Sequence, residues 1–308
     1  MSPDKNNLSD SRGSAPGIAF FKILLRLLGV NRAAEFVWAV AFFYALFDRK
    51  AADAASAYLK HRFPEAGRLK RFYCRWALFT SQGQALLEAF ASRLGNMLQW
   101  EYETPDTFSA LDAGEHRGFI LLLSHFGPWQ ALIQELNIAT RPVNLLVTPD
   151  QNRNVEKTLA SNRLKIPWRS ISTRSPMGGL PEACEAIEQG EIVCIMGDRC
   201  HEQKGVRVPF LGEEAEFPIA AFYLAARCQC PIQVLSAVRR KRHRILGIRH
   251  GPVIRPIMQG RDRNSLLPFL RIYVSELEFL ARQHPFQLFL FEDPWSRKGQ
   301  KAPLRFRP

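Results

Sequence analysis

The stretch Gly118-Phe-Ile-Leu-Leu-Leu-Ser-His125 decides the fold. Its apolar run has no polar alternation, so it reads as a strand buried on both faces, the mark of a central strand in a parallel sheet. VNLLVT (143–148), EIVCIMG (191–197) and PIQVLSAV (231–238) share that texture, and helical patterns at 154–164, 180–189 and 218–228 lie between them. Alternating strands and helices predict one α/β domain over residues 111–296, a mixed and mostly parallel sheet flanked by helices.

The same stretch ends in chemistry. It runs on as Ser124-His125-Phe126-Gly127-Pro128-Trp129-Gln130. Gly127 suits a tight turn and Pro128 the first position of a new helix. His125 then projects from the carboxyl edge of a sheet, beside a helix N-terminus that favours developing negative charge. A lone His is usually a satisfied structural residue, but the strand-turn-helix setting lifts this one well above that reading.

Upstream, the pattern is helical from 18 to about 98, and residues 18–110 read as a helical, membrane-associating N-terminal part. IAFFKILLRLLGV (18–30) puts Lys22 and Arg26 on one helical face. Gly29 offers a stop, and Asn31 a cap for a second helix carrying AAEFVWAVAFFYALF (33–47). The uncharged stretch from Phe36 to Phe47 is about 18 Å long as a helix, too short for a bilayer core of about 30 Å. Two readings stay open: a helical hairpin buried on the domain, or a monotopic anchor with its aromatic face in the membrane interface.

Composition sets outer limits. The chain has 308 residues with 46% apolar content, enough for a large core, and a formal charge of +13. That excess calls for a negatively charged partner: nucleic acid, anionic lipid or an acidic carrier protein. The polar residues 1–17 read as a disordered tail without a secretory signal, and 297–308 as a basic tail. The six cysteines follow no framework spacing and read as reduced thiols; Cys200, His201, Cys228 and Cys230 match no familiar zinc spacing, so no metal is expected. The run 239–244 reads as a charged hairpin turn between two strands. It lacks the interleaved aromatics of a nucleic-acid platform, so nucleic acid drops out as a partner.

The sequence from His125 to Gln130 resembles the His-x4-acid motif of glycerolipid-type acyltransferases, in the "HFGNWE" form of the late acyltransferases of lipid A biosynthesis. Further segments resemble that family in order: Arg141-Pro142-Val143-Asn144, Asn162-Arg163, Met196-Gly197-Asp198-Arg199, Val208-Pro209-Phe210-Leu211-Gly212, and His284-Pro285-Phe286-Gln287-Leu288-Phe289. The likeness spans about residues 18–295. It implies a glycerolipid acyltransferase-like fold and an O-acyltransferase needing no cofactor. The reaction implied moves a fatty acyl chain from acyl carrier protein or acyl-CoA to a hydroxyl of a lipid A-type or other membrane glycolipid. It also implies a place at the cytoplasmic face of the inner membrane, peripheral or monotopic, on an anionic lipid surface. By that resemblance His125, Gln130 and Asp198 are the catalytic candidates. Arg163, Arg199, Gly127 and Trp129 are the candidates for substrate binding.

The chain departs from the pattern at one point: Gln130 stands where the family carries its acid. A Gln carbonyl can accept the Nδ1–H bond and orient the ring, but it supplies little stabilisation to the imidazolium. In serine proteases the equivalent loss costs about 10⁴-fold in turnover. Either another carboxylate, with Asp198 the candidate, approaches from outside the motif, or the protein is slow or retained as a lipid binder. A phospholipid or other lipid acceptor is the alternative within the same fold.

Overall fold

The computed structural model describes residues 15–93, 98–102, 117–135, 141–148, 168–200, 205–240 and 246–296. Helices α1 (Ala15–Phe47), α2 (Arg49–Arg62) and α3 (Arg68–Arg93) come first. After them run strands β1 (Trp100–Tyr102) and β2 (Phe119–Leu123), helix α4 (Trp129–Glu135), and strands β3 (Val143–Val147) and β4 (Trp168–Ser172). Helix α5 (Leu180–Glu188), β5 (Ile192–Met196), the hairpin β6 (Val206–Phe210) and β7 (Glu213–Phe217), and α6 (Ala220–Cys228) follow. Strands β8 (Ile232–Arg239) and β9 (Leu246–Ile254) and helix α7 (Leu267–Gln283) complete the fold.

Among the described residues seven strands form one sheet in the order β1-β9-β8-β2-β5-β3-β4. All its pairings are parallel except the antiparallel β8–β9 pair. The α/β expectation holds. β2 is at the centre and buried along its length, as its unbroken apolar run requires. Its side chains alternate between two cores. Phe119, Leu121 and Leu123 pack under α4 with Leu132 and Ile133. Ile120 and Leu122 face the larger core built by α5, α6 and α7. The expected strands near 143, 191 and 231 and the helices near 180 and 218 are in place, whereas the expected helix at 154–164 lies outside the described residues.

At the N-terminal end, Gly29 kinks α1 at φ 71°, where the sequence places a stop between two helices. Asp48 caps α2 by accepting from the Ala51 N–H at 2.9 Å. α2 is fastened to the domain. Arg62 donates to the free carbonyls of Ala281 and Arg282 at the end of α7, and the Tyr58 hydroxyl donates to Pro285 O at 2.7 Å. α1 packs on α3 through small residues: Ala33, Val37, Ala41 and Ala45, spaced at i, i+4, are buried. At Gly83 a Cβ would sit 2.6 Å from Val37 Cγ1, so the helices approach closely there.

Several elements escape the sequence reading. β1 joins the sheet edge beside β9 from just beyond the pattern read as helical to about residue 98, inside the 18–110 part read as helical, and β4 extends the other edge. The β6–β7 hairpin turns on Leu211 and Gly212, both at positive φ, the requirement of a two-residue primed turn. The reading of all cysteines as reduced is corrected: Cys184 of α5 and Cys228 of α6 form a disulfide with their Cα atoms 6.0 Å apart. The two helices lie on the same face of the sheet, which brings residues 44 apart in sequence together.

Candidate active site

Strand register assembles the site. β2 and β5 are parallel neighbours with Phe119 opposite Ile192 and Leu123 opposite Met196. Carried two residues beyond the strand ends, that register sets His125 beside Asp198. Both carboxylate oxygens of Asp198 lie 3.0 Å from His125 Nδ1. The chain turns at once after the ring: Gly127 has φ 54°, and Pro128 O accepts the first helical bond of α4, from Leu132 N–H at 3.0 Å. A Cβ at Gly127 would run into Ala237 O of β8, so only glycine fits there.

The Asp198 side chain is fully buried, while His125 keeps 17% of its side-chain surface exposed. Burial alone would raise the Asp198 carboxyl pKa. The His125 ring, and then the Arg199 guanidinium, outweigh it and hold the carboxyl below its ordinary value. The carboxylate is therefore ionised, and it holds the proton of His125 on Nδ1. That tautomer leaves the basic lone pair on Nε2. Arg199 Nε stands 3.9 Å from Asp198 Oδ2, while its Nη2 donates to Phe289 O at 2.6 Å. Nε itself is buried and makes no hydrogen bond among the described residues. Behind the pair lies Tyr273 of α7, fully buried. Burial and then the Asp198 charge push its phenol well up, so it stays protonated and donates to Leu123 O at 3.2 Å.

The sequence candidates are thus partly gathered. His125, Asp198 and Arg199 meet at the carboxyl ends of β2 and β5. Trp129 lies edge-on to the His125 ring, with centroids 4.9 Å apart. Gln130 is half-buried in α4, and its side chain makes no hydrogen bond to His125. The Gly127 N–H donates to Gln287 O at 2.7 Å. Arg163 lies outside the described residues.

Sequence reasoning passed over the strap that closes the turn from behind. Residues 287–289 run antiparallel to 125–127: Phe126 and Leu288 form a β-bridge, and Phe289 N–H donates to His125 O at 2.9 Å. The sequence treats this segment only as a point of family resemblance. Its signal was a Gln at 287 in an otherwise apolar run, a polar side chain that a buried position must satisfy.

A ring nitrogen oriented by a buried, ionised carboxylate at a sheet's carboxyl edge has the chemistry to accept a proton from a hydroxyl. Residues 15–297 match the family described as bacterial lipid A biosynthesis acyltransferase, and the chain belongs to that family. The protein is accordingly an acyltransferase, and its family implies an acyl donor and a lipid A precursor as acceptor. No curated protein matches the chain. Among the described residues no helix is long and apolar enough to cross a membrane.

Proposed function

We propose that the protein moves a fatty acyl chain from an acyl thioester, on acyl carrier protein or coenzyme A, to a hydroxyl of a lipid A-type or other membrane glycolipid, with His125 as the general base. The observation that carries the reading is the hydrogen bonding of His125 Nδ1 to the Asp198 carboxylate. Nε2 takes the acceptor hydroxyl proton as the oxygen attacks the thioester carbonyl. Asp198 stabilises the imidazolium that forms, work that Gln130 in the motif position is unable to do. The tetrahedral intermediate collapses, the C–S bond breaks, and the leaving thiolate recovers the proton from the imidazolium. Proton transfer of this kind contributes about 10²–10⁴-fold. The oxyanion needs positive donors, and the Arg199 guanidinium beside the dyad is the described candidate. Arg163 stays a candidate by resemblance alone.

The place of action is the cytoplasmic face of the inner membrane, through the N-terminal part over residues 18–110. The outward face of α1, with Trp38, Phe42, Phe43, Tyr44 and Phe47 exposed, supports this reading. So does the charge of +13, which suits anionic head groups and an acidic carrier.

The test is direct. Purified full-length protein, labelled acyl carrier protein and total bacterial lipid should give a labelled lipid, and His125→Ala should abolish it. No transfer from any thioester donor would sink the enzymatic reading and leave a lipid binder. A labelled phospholipid in place of a glycolipid would move the acceptor to the alternative class.

A further inference from the structure

We propose that Gln287 is a positioning residue for His125, locking the base's turn to the end of β8 through its side-chain amide. The proposal rests on the reading of His125 as the base.

β8 outruns its neighbour. Its pairing with β2 ends where Leu122 meets Val234, yet β8 continues to Arg239 while the other chain turns away at His125. The Gln287 side chain fills part of the space left between them. Its Oε1 accepts the Arg239 N–H at 2.8 Å, and its Nε2 donates to Arg239 O at 2.9 Å. A primary amide can accept and donate from one planar end, and so stands in for a strand's peptide group. Glutamate at this position accepts but donates only when protonated, and asparagine is one methylene shorter.

The main chain of the same residue completes the clamp. Gln287 O receives the Gly127 N–H at 2.7 Å, and two residues on, Phe289 binds His125 O and Arg199 Nη2. A Cβ at Gly127 would come within 3.1 Å of Gln287 Oε1, so the turn is pressed against the amide itself. The other end of the clamp is fixed. The Arg239 guanidinium is buried and bonded to both oxygens of Glu88, at 2.6 and 2.8 Å, and to Ser81 Oγ at 3.0 Å. A continuous chain of hydrogen bonds thus runs from α3 through Arg239 and Gln287 to the turn that aims the ring. Mechanisms that need near-attack geometry lose about 10²-fold for a displacement of about 1 Å.

A staple of the fold alone would lower stability and leave the turnover of folded protein unchanged. A positioning residue lowers turnover without weakening substrate binding. In the full-length protein, Gln287→Ala should lower kcat about 10- to 100-fold and leave KM for donor and acceptor within about twofold. Gln287→Glu keeps the bulk and one of the two bonds, and should give a smaller loss of kcat, again at unchanged KM. ¹⁵N spectra of the His125 ring should show less of the Nδ1-protonated tautomer in both. Wild-type kcat in Gln287→Ala with only a lower Tm would overturn the proposal. If the alanine variant fails to fold, wild-type kcat and an unchanged ring spectrum in Gln287→Glu would overturn it equally. His125→Ala is assayed alongside. Transfer retained there removes the base reading itself, whereas transfer lost there but untouched by the Gln287 variants removes only the positioning role.

Discussion

At the scale of single residues, the dyad turns on where one negative charge is placed. Asp198 makes the hydrogen bond to Nδ1 that the motif's own acid would supply, and it does so from a neighbouring strand. Asp198→Asn keeps the shape but holds the ring less well and removes the counter-charge to the imidazolium. The comparable change in a serine protease costs about 10⁴-fold; here kcat should fall by about 10³- to 10⁴-fold, with little change in KM. Gln130→Glu should change kcat by less than about tenfold, because Nδ1 is already engaged. Steady-state kinetics on the two variants decides between the positions, and a collapse confined to Gln130→Glu would show a site built around that neutral amide. His125 was legible in the sequence because turn chemistry surrounds it. Asp198 was a catalytic candidate by family resemblance and the carboxylate named to reach the ring from outside the motif, but its pairing with His125 was not written locally. Both residues lie two beyond the end of an apolar run, but no local pattern states that β2 and β5 are neighbours. Once they are, the register does the rest.

At the scale of elements, helices and central strands were legible from periodicity, and the edges of the sheet were not. β1 has only three residues, Arg169 and Ser170 of β4 are exposed, and the β6–β7 turn uses Leu211 where Asn or Asp would signal a hairpin. Pairing across the fold was equally hidden: the Cys184–Cys228 bridge and the Glu88–Arg239 ion pair join segments 44 and 151 residues apart. The ion pair carries a stability prediction. Glu88 and Arg239 are both buried, so the pair's mutual attraction offsets a large desolvation cost. Glu88→Ala strands the guanidinium in the interior and should destabilise the fold by about 3–5 kcal/mol in urea or thermal unfolding. Replacing both partners, as Glu88→Leu with Arg239→Met, should recover most of that loss. If the single change is silent, the Arg239 guanidinium is satisfied without Glu88, and the anchor of the Gln287 clamp is weaker than its geometry implies.

At the scale of the whole molecule, the second half of α1 is apolar on its outward face as well as its buried one. Its buried stripe is made of alanines and Val37, while its exposed surface carries aromatic side chains, among them Phe43 and Phe47, 60% and 62% exposed with rings 4.6 Å apart. A helix surrounded by water would gain nothing from that arrangement, whereas a helix lying in a lipid interface buries the aromatic face there. The net charge of +13 adds a second, electrostatic attraction to anionic lipid. The two contributions respond differently to salt, since screening at 1 M shortens the Debye length to about 3 Å but leaves apolar burial intact. The full-length protein should therefore cosediment with phosphatidylglycerol-containing vesicles and bind purely zwitterionic vesicles more weakly. High salt should reduce binding to the anionic vesicles without abolishing it. Phe43→Ser with Phe47→Ser, which leave the charge unchanged, should remove the salt-resistant fraction and leave the salt-sensitive one. Each phenylalanine buried in the interface contributes up to about 1.5–3 kcal/mol, so losing two is easily resolved. Binding that vanishes in salt and ignores the double substitution would mean that charge alone holds the protein to lipid. The aromatic face of α1 would then need a protein partner in place of a membrane.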